Sequence, residues 1–81
     1  MAIMGFLAHT EAEQSADVER RIAAMPEMTT YGVHQGVYVV AVAEAPGEAM
    51  EAVLQRVRAL PGVLTTYVTS LTVEDEQFPD G

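Results

Sequence analysis

The sequence predicts an α+β fold. Six elements in the order β-α-β-β-α-β form a four-stranded antiparallel sheet of order 4-1-3-2 with both helices on one face. Three observations carry this. The hydrophobic period switches along the chain between about 2 residues, as in strands, and about 3.6, as in helices. A near-repeat relates Arg21-Ile22-Ala23-Ala24-Met25-Pro26 to Arg56-Val57-Arg58-Ala59-Leu60-Pro61, 35 residues further on. Each copy is a helix end running into a strand, so the chain reads as two βαβ halves whose right-handed crossovers interleave into one ferredoxin-like sandwich.

Residues 2–9, AIMGFLAH, are a short apolar run bounded by polar residues, the mark of a strand covered on both faces. In residues 13–25, EQSADVERRIAAM, Val18, Ile22 and Met25 recur at helical spacing. Asp17 and Glu19 stand early in that segment and Arg20 and Arg21 later, which suits the helix dipole; Ser15 caps or opens the helix and Pro26 stops it. Residues 28–34, MTTYGVH, alternate, and Gln35-Gly36 turns the chain into the β-branched run VYVVAVAE. Ala45-Pro46-Gly47 breaks that strand. The second helix follows, with Met50, Val53, Leu54, Val57 and Leu60 on one stripe, and Pro61-Gly62 ends it. VLTTYVTSLTV is the last strand. One domain therefore spans residues 1–73, and EDEQFPDG, residues 74–81, is expected to be an acidic, frayed tail.

At 81 residues the chain buries only about 60% of its unfolded surface, so two layers are its limit. It has twelve acids, four arginines, no lysine and a formal charge of −8. Such a surface repels a phosphate backbone, which argues against nucleic acid and favours a basic partner. With no cysteine there is no disulfide, no thiolate metal site and no thiol nucleophile. The first dozen residues lack the basic start of a secretory signal, and no apolar run approaches a membrane span, so a cytoplasmic protein without membrane insertion is expected. His9 and His34 have no metal-ligand spacing, no glycine-rich phosphate loop occurs, and no enzyme activity, metal or cofactor is expected.

A sheet with helices on one side leaves the other to water, and alternation should tell which side is which. In the two central strands it does not, because both side-chain sets are apolar. Placing the tyrosine sets of the edge strands outward gives an open face with a floor of Met4, Phe6, Ala8, Val37 and Val39, walled by Tyr31 and Tyr67. On that placement a charge at Phe6 should abolish binding and leave the fold intact. An apolar face of this size marks an interface with a foreign partner or with a second copy, unless it is ordinary strand composition.

GFLAH in the first strand, the helix end AAMPEM, the hairpin HQGVYVVAVAE and above all RALPGVL before the last strand resemble the NapD family, over residues 3 to 76 or so. The pattern departs where Pro26 is followed by Glu27-Met28-Thr29 and where the last strand continues through Ser70 and Leu71. The resemblance implies a small cytoplasmic chaperone with the ferredoxin-like fold. Its partner would be the twin-arginine signal peptide of the catalytic subunit of periplasmic nitrate reductase, docked as a helix on the open sheet face and held back from export until the molybdenum cofactor is in place. Combined with the outward placement of the tyrosines, this leads to the expectation that Met4, Phe6, Ala8, Tyr31, Val37, Val39 and Tyr67 contact that peptide and that an acid at the rim, Glu44 or Glu74, attracts its arginines. The chaperone would be a monomer or a weak homodimer. A second reading is a small-molecule-sensing domain of the ACT or Lrp type acting as a homodimer.

Overall fold

The computed structural model describes residues 1–73; the predicted acidic tail, Glu74 included, lies outside them. Strands β1 (Ala2–Thr10), β2 (Met28–His34), β3 (Tyr38–Ala45) and β4 (Val63–Val73) and helices α1 (Ser15–Ala23) and α2 (Met50–Arg58) follow the predicted order. The sheet runs β2-β3-β1-β4 and every neighbouring pair is antiparallel. α1 lies over β2 and β3, and α2 over β4 and β1.

The repeat that joins the two helix ends extends to the whole backbone. Single 3-10 turns at Ala12–Gln14 and Gly47–Ala49, helices from 15 and from 50, and strands from 28 and from 63 all recur 35 residues apart. The hydrogen bonds of the helix exits recur too. Met25 N donates to Ile22 O (3.0 Å) and Met28 N to Met25 O (3.0 Å), matched by Leu60 N to Val57 O (3.1 Å) and Val63 N to Leu60 O (3.2 Å). Glu44 N donates to Glu27 O (3.0 Å) just as Glu11 N donates to Gly62 O (2.9 Å), which ties each helix exit to the end of a strand in the other half. Prolines 26 and 61 cannot continue a helix, so both halves leave it at the same point.

The two exits differ at one position. Gly62 has φ +93°, the left-handed region that side chains avoid, and a Cβ there would run into the Gln14 side chain. Its counterpart Glu27 needs no positive φ, and its carboxylate bonds the Arg56 guanidinium of α2. A hydrogen bond from its own backbone, then Arg56, hold the Glu27 carboxyl below the usual carboxylate range. Gly62→Ala is expected to cost about 1–3 kcal/mol in backbone strain alone. Thermal melting followed by circular dichroism checks this; an unchanged midpoint would mean the exit has no need of glycine.

Ser15 opens α1 without capping it. Its hydroxyl donates back to Ala12 O (3.2 Å), and neither N-cap residue, Gln14 of α1 or Ala49 of α2, makes a side-chain capping bond. The first turn is held on its surface instead by Asp17, which accepts from Arg20 (2.7 Å) and Arg21 (2.8 Å). Those guanidiniums, Arg21 first, hold the exposed Asp17 carboxyl below its ordinary range.

The core lies between the helices and the sheet. Val18 and Ile22 of α1 and Met50, Val53, Leu54 and Val57 of α2 pack on Ala2, Met4, Phe6, Ala8, Met28, Val39, Ala41, Ala43 and Ala45 of the strands. This overturns the expected parity of the central strands. Met4, Phe6, Ala8 and Val39 are buried beneath the helices, and Val37, which precedes β3, belongs to the same side. The physical reason is visible in the company they keep. Five of the strand residues on this side are alanines, whose small side chains leave room for the branched residues of two helices. The opposite sets end in polar groups, His9 in β1 and Glu44 in β3.

Candidate functional site

Register assigns the open face row by row, because residues paired across antiparallel strands point to the same side. At one end stand His34, Tyr38, His9 and Thr65, reading from β2 to β4. The next row is Tyr31, Val40, Leu7 and Tyr67. Leu7 pairs with Val40 on one side and with Tyr67 on the other, and Tyr31 with Gly32 fills the extra position opposite Val40. The third row is Thr29, Val42, Gly5 and Ser70, and the last is Glu44, Ile3 and Thr72.

Each edge strand reaches this arrangement through a bulge, an extra residue that lets one strand shift parity against its neighbour. In β2 the shift falls between Thr30 and Val33, so Thr29 faces out while Val33 packs on the core. Gly32 takes φ +107° there. In β4 one shift falls at Leu64, opposite the end of β1, and another at Thr69, after which Ser70 and Thr72 take the outward places and Leu71 and Val73 the helix side. Gly5 sits against this bulge. A Cβ on it would come within 2.8 Å of Ser70 Oγ and 3.0 Å of Thr69 Oγ1, so a glycine is what lets the bulge lie close to β1.

The result is a shallow apolar floor. Leu7, Val40, Val42 and Ile3 are half-buried by their neighbours, and no helix among the described residues covers them. Tyr31 and Tyr67 flank the Leu7-Val40 pair from the two edges and remain 66% and 51% exposed. Gly5 contributes no side chain, and the Ser70 and Thr69 hydroxyls lie over it at the centre of β1. At the histidine end the His9 and Tyr38 rings stack, with centroids 4.7 Å apart and planes 25° from parallel. Such a face offers rigid amphipathic area at its edges and aliphatic contact between them.

Of the seven residues expected to line the open face, the structure sets Tyr31 and Tyr67 there and turns Met4, Phe6, Ala8, Val37 and Val39 toward the helices. The floor consists of Leu7, Val40, Val42 and Ile3, of the parity opposite to the one expected from the sequence. The polar ends of their sets, His9 and Glu44, carried the signal that could have found them: a set that closes on an ionisable residue faces water.

Charge is distributed unevenly over the two sides. The four arginines belong to α1 and α2, and the chain has no lysine. Among the described residues, no three histidine or carboxylate side chains are gathered to hold a metal ion, and no helix is long and apolar enough to cross a membrane.

The family model for NapD protein matches residues 1–75. Among solved structures, the solution structure of the E. coli Tat proofreading chaperone protein NapD superposes with a TM-score of 0.77, covering 98% of this chain and 85% of that one at 17% identity, a likeness of fold. No curated protein matches the sequence. A family match that takes in both helices and all four strands is decisive where a fold likeness alone is not, and the chain belongs to the NapD family.

Proposed function

We propose that this protein is a cytoplasmic chaperone without enzymatic activity. It binds the twin-arginine signal peptide of the catalytic subunit of periplasmic nitrate reductase on its open sheet face and delays export until maturation is complete. The observation that carries this is the uncovered row Tyr31-Val40-Leu7-Tyr67 across all four strands of a NapD-family chain. The solved relative with the same fold is a Tat proofreading chaperone by description, which supports the chaperone role.

The chemistry fits a signal peptide in two respects. Its apolar stretch, as an amphipathic helix, finds aliphatic floor and aromatic walls, a recurrent mode of helix recognition. Its basic stretch meets a carrier of formal charge −8, which raises the encounter rate and disfavours acidic competitors.

Titration calorimetry of the full chain with a synthetic twin-arginine signal peptide, beside a twin-lysine control, tests the reading. One-to-one binding with a negative heat-capacity change is expected, since apolar surface leaves water on both partners. No binding, with the protein sedimenting as a dimer, would show instead that a second copy covers the face.

A further inference from the structure

Resting on the signal-peptide reading, we infer that the open face is polar along its length: Glu44 receives the basic end of the peptide, and the apolar part runs away from it toward His9 and Tyr38. Among the described residues the face has one carboxylate in its outward positions, and it stands at one end, in the row Glu44-Ile3-Thr72. The opposite end, in the row His34-Tyr38-His9-Thr65, holds the only two histidines of the chain and no acid.

Glu44 is exposed, and its side chain makes no hydrogen bond or ion pair among the described residues. The contrast with the other acids near the sheet is sharp. Glu27, which lies against Glu44 through the backbone, has its carboxylate engaged by Arg56. Glu11 and Glu13 at the far end and Glu48 at the near end lie in or beside the 3-10 turns that lead into the helix layer. No arginine stands on the open face to neutralise Glu44. An exposed carboxylate at the margin of an apolar floor, on a face that carries no arginine, complements a ligand whose charge precedes its apolar stretch.

Length agrees with this polarity. From Tyr38 to Glu44 the strand runs about 20 Å, and a helix covering that distance has about 13 residues. A helix laid along β1 and β3 with a guanidinium at Glu44 would therefore keep its apolar turns over Val42, Gly5, Leu7 and Val40 and end near the stacked His9 and Tyr38 rings. Reversed, it would carry its cations to the histidine end and leave Glu44 facing an apolar helix terminus, where desolvating a carboxylate is costly.

The test uses the full chain and two versions of the signal peptide, one with a nitroxide label at its N-terminal, basic end and one with the label at its C-terminal, apolar end. Paramagnetic broadening of assigned amide signals should concentrate at Ile3, Val42 and Glu44 for the first label and at His9, Tyr38 and Thr65 for the second. Glu44→Gln should weaken binding about fivefold at low salt, the range of a partly exposed ion pair, and make the affinity less sensitive to salt. The reversed broadening pattern, or a Glu44→Gln variant with unchanged affinity and salt dependence, overturns the polarity while leaving peptide binding on the face intact. Absence of binding by the unsubstituted chain overturns the signal-peptide reading and this inference with it.

Discussion

Replacing Phe6 with alanine is expected to remove about 3–5 kcal/mol of stability and lower the thermal midpoint by roughly 15–30 °C. Phe6 is 1% exposed and stands at the centre of the sheet's helix side, in a row with Thr30, Ala41 and Val68. Its partner Ala41 in β3 is small and itself buried, so it cannot fill the cavity left behind. A domain this size has about 5–15 kcal/mol in total, and Phe6→Asp, which would bury a carboxylate among methyl groups, should leave no folded protein. The contrasting variant is Tyr67→Ala on the opposite face, expected to cost less than about 1 kcal/mol. Denaturant unfolding of the two single variants decides the matter. A Phe6→Ala protein as stable as Tyr67→Ala would mean that Phe6 faces water and that the helices cover the other side.

The fold was legible because its evidence is redundant. Either helix could have been misread from its own periodicity, but Arg21 to Pro26 and Arg56 to Pro61 say the same thing at a fixed offset, and the hydrogen bonds of the two exits repeat at that offset too. The strand order followed from two interleaved βαβ halves without any side-chain detail. The identity of the open face was not legible in the same way. Parity within a strand is a binary choice, and in β1 the candidates Met4-Phe6-Ala8 and Ile3-Leu7 are equally apolar. A chain whose free face is itself apolar erases the polar alternation that normally breaks this tie.

The edge strands were readable only in part, for a different reason. Tyr31 and Tyr67 stand at the edges as expected, yet Val33 does not share the side of Thr29, nor Leu71 that of Tyr67 as regular strands would require, because the bulge between each pair shifts the count by one. Gly32 at φ +107° marks the first bulge, and Gly5, pressed against Ser70 and Thr69, the second. A glycine inside a β-branched strand is a signal for a bulge or a close backbone approach, and here both meanings apply.

The sharpest functional consequence of the corrected face lies in Leu7. Leu7 is flanked by Val40 and Tyr67, at the middle of the row that spans the sheet. A peptide helix seated on the face would desolvate it from above, completing an enclosure the neighbours have begun, and central, fully desolvated contacts dominate binding energy. Leu7→Asp should therefore weaken signal-peptide binding by at least about 30-fold, the equivalent of a ~2 kcal/mol hot spot. Its effect on the fold should be far smaller, about 1 kcal/mol, because the substituted group still reaches solvent and only strand preference and cross-strand packing are lost. Val40→Asp, across the pair, should behave alike. Tyr31→Ala and Tyr67→Ala, at the edges, should cost the complex less than either. Calorimetric titration together with thermal melting separates the two effects, since a variant that loses the peptide while keeping its midpoint has lost a surface and not a core. If folded Leu7→Asp retained the parent affinity, the peptide would have to sit elsewhere. The exposed Val68, Leu71 and Val73, on the other side of β4, would then be the next surface to substitute.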